Sequence, residues 1–174
     1  NPGTGTNNSV SAALVMPDGK VVVGGSFTTF NGTAVGPVIR LNADGSRDTG
    51  FNAGPTVAGT IVGSLALQGE QLVIGGRFAS WSGVTMGNIA RLNGSGSLDT
   101  SFTRGAGIVG SSPMVRSLVV QPDGKVLVGG TFDSYSGTNK YGILRLQADG
   151  SLDTGFGGIG VNRYEDVRRI VRQA

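Results

Sequence analysis

The sequence predicts an all-β fold of tandem four-stranded repeats, and three observations predict it. The first is a diglycine closing an apolar run: VVVGGSF at 21–27, LVIGGRF at 72–78 and VLVGGTF at 126–132. The second is a later anchor: RLNADGSRDTGF at 40–51, RLNGSGSLDTSF at 91–102 and RLQADGSLDTGF at 145–156. Both anchors recur at spacings of 51 and 54, and a fixed period of this size is the signature of a repeat architecture. The third is composition: 32 glycines in 174 residues, 38% hydrophobic and 14% charged. That is enough apolar material for a core, and it lacks any helix-period segment of useful length.

Each repeat reads as strands in order. The first strand is 10–16, aligned with 61–67 and 115–121, and 167–173 repeats it a fourth time. PDGK at 17–20 turns the chain, because Pro and Gly supply turn dihedrals. The second strand, 21–27, is apolar throughout, as expected when both faces are covered. Its glycines lack Cβ, so a neighbour can lie directly on them. The third strand, 38–42, alternates: Ile39 and Leu41 face one way and Arg40 the other. ADGS at 43–46 then leads into a short fourth strand ending at Phe51. The closing stretch 164–173 aligns with the first strand, so strand is expected there as well.

From Phe27 to Asn42, Phe78 to Asn93 and Phe132 to Gln147 the interval is always 15. From Phe51 to Ile61 it is 10, from Phe102 to Val115 it is 13, and from Phe156 to Val167 it is 11. Insertions therefore fall in one surface loop, after the DTxF phenylalanine. The chain is read as one repeat domain, 1–174. Repeat 1 is about 7–59, repeat 2 about 60–110 and repeat 3 about 111–162, with the opening strand of a fourth at 163–174.

The string QPDGKVLVGGTF…YSG…ILRLQADGSLDTGF resembles the delta-60 repeat, a tandem repeat of bacterial proteins in the β-propeller group. The resemblance covers residues 7–173. It implies propeller-type blades and a setting in large secreted or surface proteins, and it carries no defined activity. The second repeat departs from the pattern at LQGEQL (67–72) and NGSG (93–96), so its turns are expected to differ. Propellers have about four to eight blades, so three repeats are expected to be completed by oligomerisation. A blade made from strands two, three and four of one repeat plus strand one of the next would leave 10–16 unpaired. The alternative fold is a β-trefoil.

Cysteine and histidine are absent, which excludes disulfides, thiolate or imidazole metal sites and Ser-His-Asp triads. Net charge is +3 and the arginines are spread along the chain before Arg163, so no nucleic-acid partner is expected. No apolar run approaches membrane-spanning length, so no membrane insertion is expected. A chain opening at Asn1 without Met is expected to be processed or excised from a longer one.

Phe30–Asn31, Trp81–Ser82 and Tyr135–Ser136 share one repeat position, each followed by Gly. Rings at loop tips stack on sugars and polar neighbours bond their hydroxyls, so these six residues are the candidate ligand-binding set. The competing reading packs the rings over the diglycines. Arg40, Arg91 and Arg145 recur with Asp48, Asp99 and Asp153, as bidentate ties or as a cationic ring for an anion. The ADGS oxygens fit Asx turns better than calcium, and no cofactor or metal is expected. The only glutamates are Glu70 and Glu165, and nothing in the sequence gathers Asp133, Glu165 and Asp166 into a pair, so no enzyme is expected. Arg163, Arg168, Arg169 and Arg172 crowd the closing segment, where charge guards an edge strand or meets an acidic partner.

The expectation is a non-catalytic extracellular or cell-surface binding or adhesion module for a glycan or surface partner. The alternative is a purely structural, oligomerising scaffold. A homo-oligomer is expected, with 10–16 and 167–172 at the contacts.

Overall fold

The computed structural model describes residues 3–55, 57–103, 105–157 and 166–171, and these form strands, turns and loops without a helix. The first repeat gives β1 (Val10–Val15), β2 (Val21–Gly25), β3 (Thr29–Phe30), β4 (Thr33–Ala34) and β5 (Val38–Leu41). The second gives β6 (Ile61–Gln68), β7 (Gln71–Arg77), β8 (Ser80–Trp81), β9 (Val84–Thr85) and β10 (Ile89–Leu92). Next comes β11 (Ile108–Val109), in the variable loop. The third repeat adds β12 (Met114–Val120), β13 (Val126–Thr131), β14 (Ser134–Tyr135), β15 (Thr138–Asn139) and β16 (Ile143–Leu146).

Three antiparallel meanders result, ordered β1-β2-β5, β6-β7-β10 and β12-β13-β16. Each blade therefore takes its first strand from its own repeat, which corrects the expected exchange. Residues 10–15 are not left over; they pair with 21–25. The expected fourth strand shrinks to single bridges, Leu41 to Arg47, Leu92 to Leu98 and Leu146 to Leu152. The chain there is spent on two tight turns, which leave no room for a ladder. Asn42 N–H donates to Ser46 O and Gly45 N–H to Asn42 O, and the same pair of bonds recurs in the second and third repeats. NGSG at 93–96 thus turns as its relatives do, because Gly45, Gly96 and Gly150 all hold positive φ. The first turn of the second repeat does differ: Gln68 pairs directly with Gln71 across Gly69–Glu70.

The unbroken apolar second strand has the expected cause. Leu72 and Ile74 pack with Val22, Val38 and Phe51 of the first blade, whereas Val73 packs with Val115, Val126 and Leu144 of the third. Phe27, Phe78 and Phe132 are all buried. Each diglycine answers two demands. A Cβ at Gly24 would lie 2.7 Å from Val62 Cγ1 of the next blade, and one at Gly75 would collide with Val115. A Cβ on the second glycine, Gly25, Gly76 or Gly130, would strike the carbonyl of Ser9, Ile61 or Met114. Bulges between Val10 and Ala12, Val62 and Ser64, and Val115 and Ser117 follow those carbonyls.

The pairing also moves the second repeat by one residue. Val10, Val62 and Val115 all oppose the second glycine, so Val62, not Ile61, is the partner of Val10. A shift of one residue exchanges the two faces of a strand.

Residues 166–171 take no strand pairing, contrary to expectation, yet they sit where a fourth first strand belongs. Val167 and Ile170 cover Gly129 as Val62 and Leu65 cover Gly24, and Ile170 N–H donates to Ser117 Oγ at 2.9 Å. Arg163, Glu165 and Arg172 lie outside the described residues. Among the described residues the sheets stay separate and stack face to face; no closed barrel of the trefoil kind forms.

Candidate functional site

Between its second and third strands each blade carries a small hairpin that the sequence reading missed: β3-β4, β8-β9 and β14-β15. The two-residue tips are Asn31–Gly32, Ser82–Gly83 and Ser136–Gly137, and all six residues have φ between 47° and 83°. Positive φ at both positions defines a type I′ turn, for which Asn-Gly is the strongest short-range signal. That signal was present at 31–32, and Ser-Gly carries it more weakly in the other repeats.

The candidate residues separate into two groups. Trp81 and Tyr135 are 3% and 1% exposed, and Phe30 is half-buried. Trp81 meets Phe78 edge-on at 5.3 Å between centroids, and Tyr135 donates its hydroxyl to Gly150 O at 2.6 Å. The larger two rings are thus core parts, as the packing reading has it. Asn31, Ser82 and Ser136 are exposed. Each leans on the loop that precedes its repeat. Asn31 N–H donates to Gly5 O and Ser136 N–H to Gly107 O, while a Cβ at Gly54 would lie 2.5 Å from Ser82 Oγ. The hairpins and variable loops gather at one end of the sheets, opposite the PDGK and ADGS turns.

The recurring arginines form three copies of one device. Nε of Arg40, Arg91 and Arg145 donates to Asp48, Asp99 and Asp153 Oδ2 at 2.7–2.8 Å. Each guanidinium lies 4.8–4.9 Å over Phe51, Phe102 or Phe156. Nη1 of Arg40 then crosses to Gly94 O of the next blade, and that of Arg91 to Ala148 O. Asn52 N–H to Ser95 O and Thr103 N–H to Asp149 O run beside them. Arg145 has no such acceptor among the described residues. At the other end, a Cβ on Gly45 would meet nothing, although the equivalent Gly96 and Gly150 are covered by Asn52 and Phe102. These arginines are ties, not a cationic ring open to a ligand.

The carboxylates are committed to the same framework. Lys20 and Arg40 hydrogen bonds hold the Asp48 carboxyl down at about 2. Burial pushes Asp99 up, but bonds from Ser101 and Arg91 overcome it and leave it low. Lys125, then Arg145, lowers Asp153. Asp44 and Asp149 accept from Ser46 and Ser151 in their own turns, which lowers both. Asp166 accepts from Arg116, Thr131 and Arg168.

A family model described as "Domain of unknown function (DUF5122) beta-propeller" matches residues 17–51, 71–102 and 121–156, more than half of the chain. The chain belongs to this β-propeller family. Each DUF5122 stretch runs from the second strand or the turn before it to the DTxF phenylalanine. It therefore contains one whole Arg–Asp–Phe device. Among solved structures, this DUF5122 chain is similar to the extracellular domain of a one-component system of B. thetaiotaomicron. The identity is 17% and the TM-score 0.44 over 71% of this chain, which spans 14% of that chain's length. No curated protein matches.

Proposed function

We propose that this chain is a non-catalytic, extracellular binding module that recognises a glycan or a surface partner with its hairpin end. The observation carrying this reading is the row of three like tips, Asn31, Ser82 and Ser136, each exposed on a rigid type I′ turn. Asn31 Oδ1 accepts from Gly5 N–H, and its Nδ2 and the Ser82 hydroxyl suit hydrogen bonding to sugar hydroxyls or to a partner's backbone. The commitment of Asp48, Asp99 and Asp153 to structural pairs supports a module without acid–base chemistry. The resemblance to delta-60 repeats of secreted proteins points the same way.

A glycan array tests it. The triple variant Asn31→Gly, Ser82→Gly, Ser136→Gly removes the polar groups and keeps a residue suited to positive φ. Binding by the native chain and its loss in the variant are expected. No binding, or binding that the variant keeps, rejects the tips as the site.

A second reading, an oligomerising scaffold, is favoured by Arg145. Among the described residues its Nη1 lacks the turn carbonyl that Arg40 and Arg91 find, and the turn at Gly45 lacks the cover that Gly96 and Gly150 receive. A second copy, its first blade displacing 166–171 from the third blade of its neighbour, would supply both. Two such copies would make six blades, and light scattering reads the result. A monomer of 17.6 kDa at micromolar concentration counts against it.

A further inference from the structure

Beside the first hairpin a cavity of about 750 Å³ opens, lined by Arg47, Thr28, Val35, Asn52, Gly54 and Pro55 among others. Arg47 breaks the repeat at this point. Its counterparts are Leu98 and Leu152, which bridge the third strand in the same way and pack into the two inter-blade cores. The loop beside it differs too. In the second repeat the loop is longer, and Ile108 pairs with Tyr135 and is buried; in the first, Val57 is 42% exposed. A Cβ at Gly36 would strike the Gly54 carbonyl, so hairpin base and loop are locked together along the cavity wall.

The Arg47 guanidinium is uncommitted. It forms no ion pair with the described residues, and its Nε is buried without an acceptor. The adjacent Asp48 is turned away and held by Lys20 and Arg40. A buried donor without a partner is costly, so such groups in native proteins call for an explanation.

We propose that this cavity binds a small carboxylate-bearing ligand, a carboxylated monosaccharide, with its carboxylate on Arg47. The site lies at the base of the hairpin, so the inference goes beyond the tip reading. A planar carboxylate suits the Nη1–Nη2 edge of the guanidinium, the edge not sealed with Nε, and its single charge matches the arginine; a phosphate monoester would bring about two. Thr28 Oγ1 already accepts from Asn7, which leaves its own hydrogen to donate. Asn52 Oδ1 is held by Gly54 N–H, which leaves its amide hydrogens for an acceptor. Val35 and Pro55 offer apolar surface to the C–H face of a ring. The volume falls in the range of about 300–1,000 Å³ typical of small-ligand sites.

Amide chemical shifts of the full chain, titrated with glucuronate, glucose and glucose 6-phosphate, test the proposal. Glucuronate is expected to shift Gly36, Gly54 and Ala58 saturably, while glucose does not. Arg47→Leu restores the residue found in the other repeats, so its fold and thermal midpoint should be kept while glucuronate affinity falls at least about tenfold. Arg47→Lys keeps the charge, loses the fork and should weaken binding less. Glucuronate shifts that are absent, confined to the tips, or unchanged in Arg47→Leu overturn the site. Equal or tighter binding of glucose 6-phosphate overturns the carboxylate assignment.

Discussion

Arg91 and Asp99 meet at 2.7 Å with side chains only 9% and 8% exposed, the most enclosed of three equivalent pairs. Arg145 and Asp153 meet at the same distance with the arginine 25% exposed. The difference is the following blade: Arg91 is roofed by the third, which accepts its Nη1 through Ala148.

Removing one partner of a buried pair leaves an uncompensated charge, at a cost of about 3–5 kcal/mol. Arg91→Ala is expected to fall in that range by urea titration, because Asp99 stays buried and loses its main cation. Arg145→Ala should cost clearly less. Equal losses would mean that enclosure by the next blade adds nothing to the pair.

Acid should loosen the blades. Asp48, Asp99 and Asp153 all titrate below the ordinary carboxylate range in the folded protein, Asp48 at about 2. A depressed folded pKa contributes stability that is present above the unfolded value of about 3.9 and lost as pH falls toward the folded one. The urea midpoint is therefore expected to be lower at about pH 2.5 than at about pH 5. A flat profile between them would show that the pairs stabilise nothing.

Phe78 is buried against Trp81 and the apolar strands of the first two blades. Truncation to Ala leaves a cavity that the rigid diglycine strand cannot collapse into. A loss of roughly 3–5 kcal/mol is expected by denaturant titration.

Trp81 and Tyr135 occupy one position, but only the tyrosine finds an acceptor; Trp81 Nε1 is buried without one. Trp81→Tyr should be mild, at under about 1.5 kcal/mol, because a hydroxyl there can copy the bond of Tyr135 to its turn carbonyl. As the only tryptophan, Trp81 should also emit like a buried indole and resist iodide quenching. Emission at the wavelength of free indole would remove it from the core.

Much of this architecture was legible in the sequence because the repeat is strict where packing is strict. The apolar second strand, the Arg–Asp pairs and the diglycines each recur because an identical neighbour lies on them. What was hidden depends on pairing across strands. Ile61 and Val62 look equally good as the start of a strand; only the bulge opposite Gly76 decides which one faces the first blade. The fourth strand failed because a short apolar-ended stretch after a tight turn reads like a strand, yet it keeps only one bridge per repeat. Of the six candidate residues at the hairpins, the sequence does not separate the large rings, which are buried, from Asn31, Ser82 and Ser136, which are exposed. The setting of Arg47 is not legible in the sequence, since it lies in a cavity that the hairpin at 28–36 and the loop at 52–58 form together.

The arginine device gives the chain a direction. Every tie from Arg40 or Arg91 reaches forward to the following repeat and none reaches back. Energetically this is a one-dimensional polar lattice: each unit has its own stability, and each junction adds a coupling term. The middle blade enjoys two junctions. Among the described residues the first blade meets one other blade, and the third meets one blade and the 166–171 segment. Opening should therefore begin at the outer blades and travel inward, so amide exchange should be slowest along β7. Each further repeat added to such an array would raise cooperativity by one junction at a time.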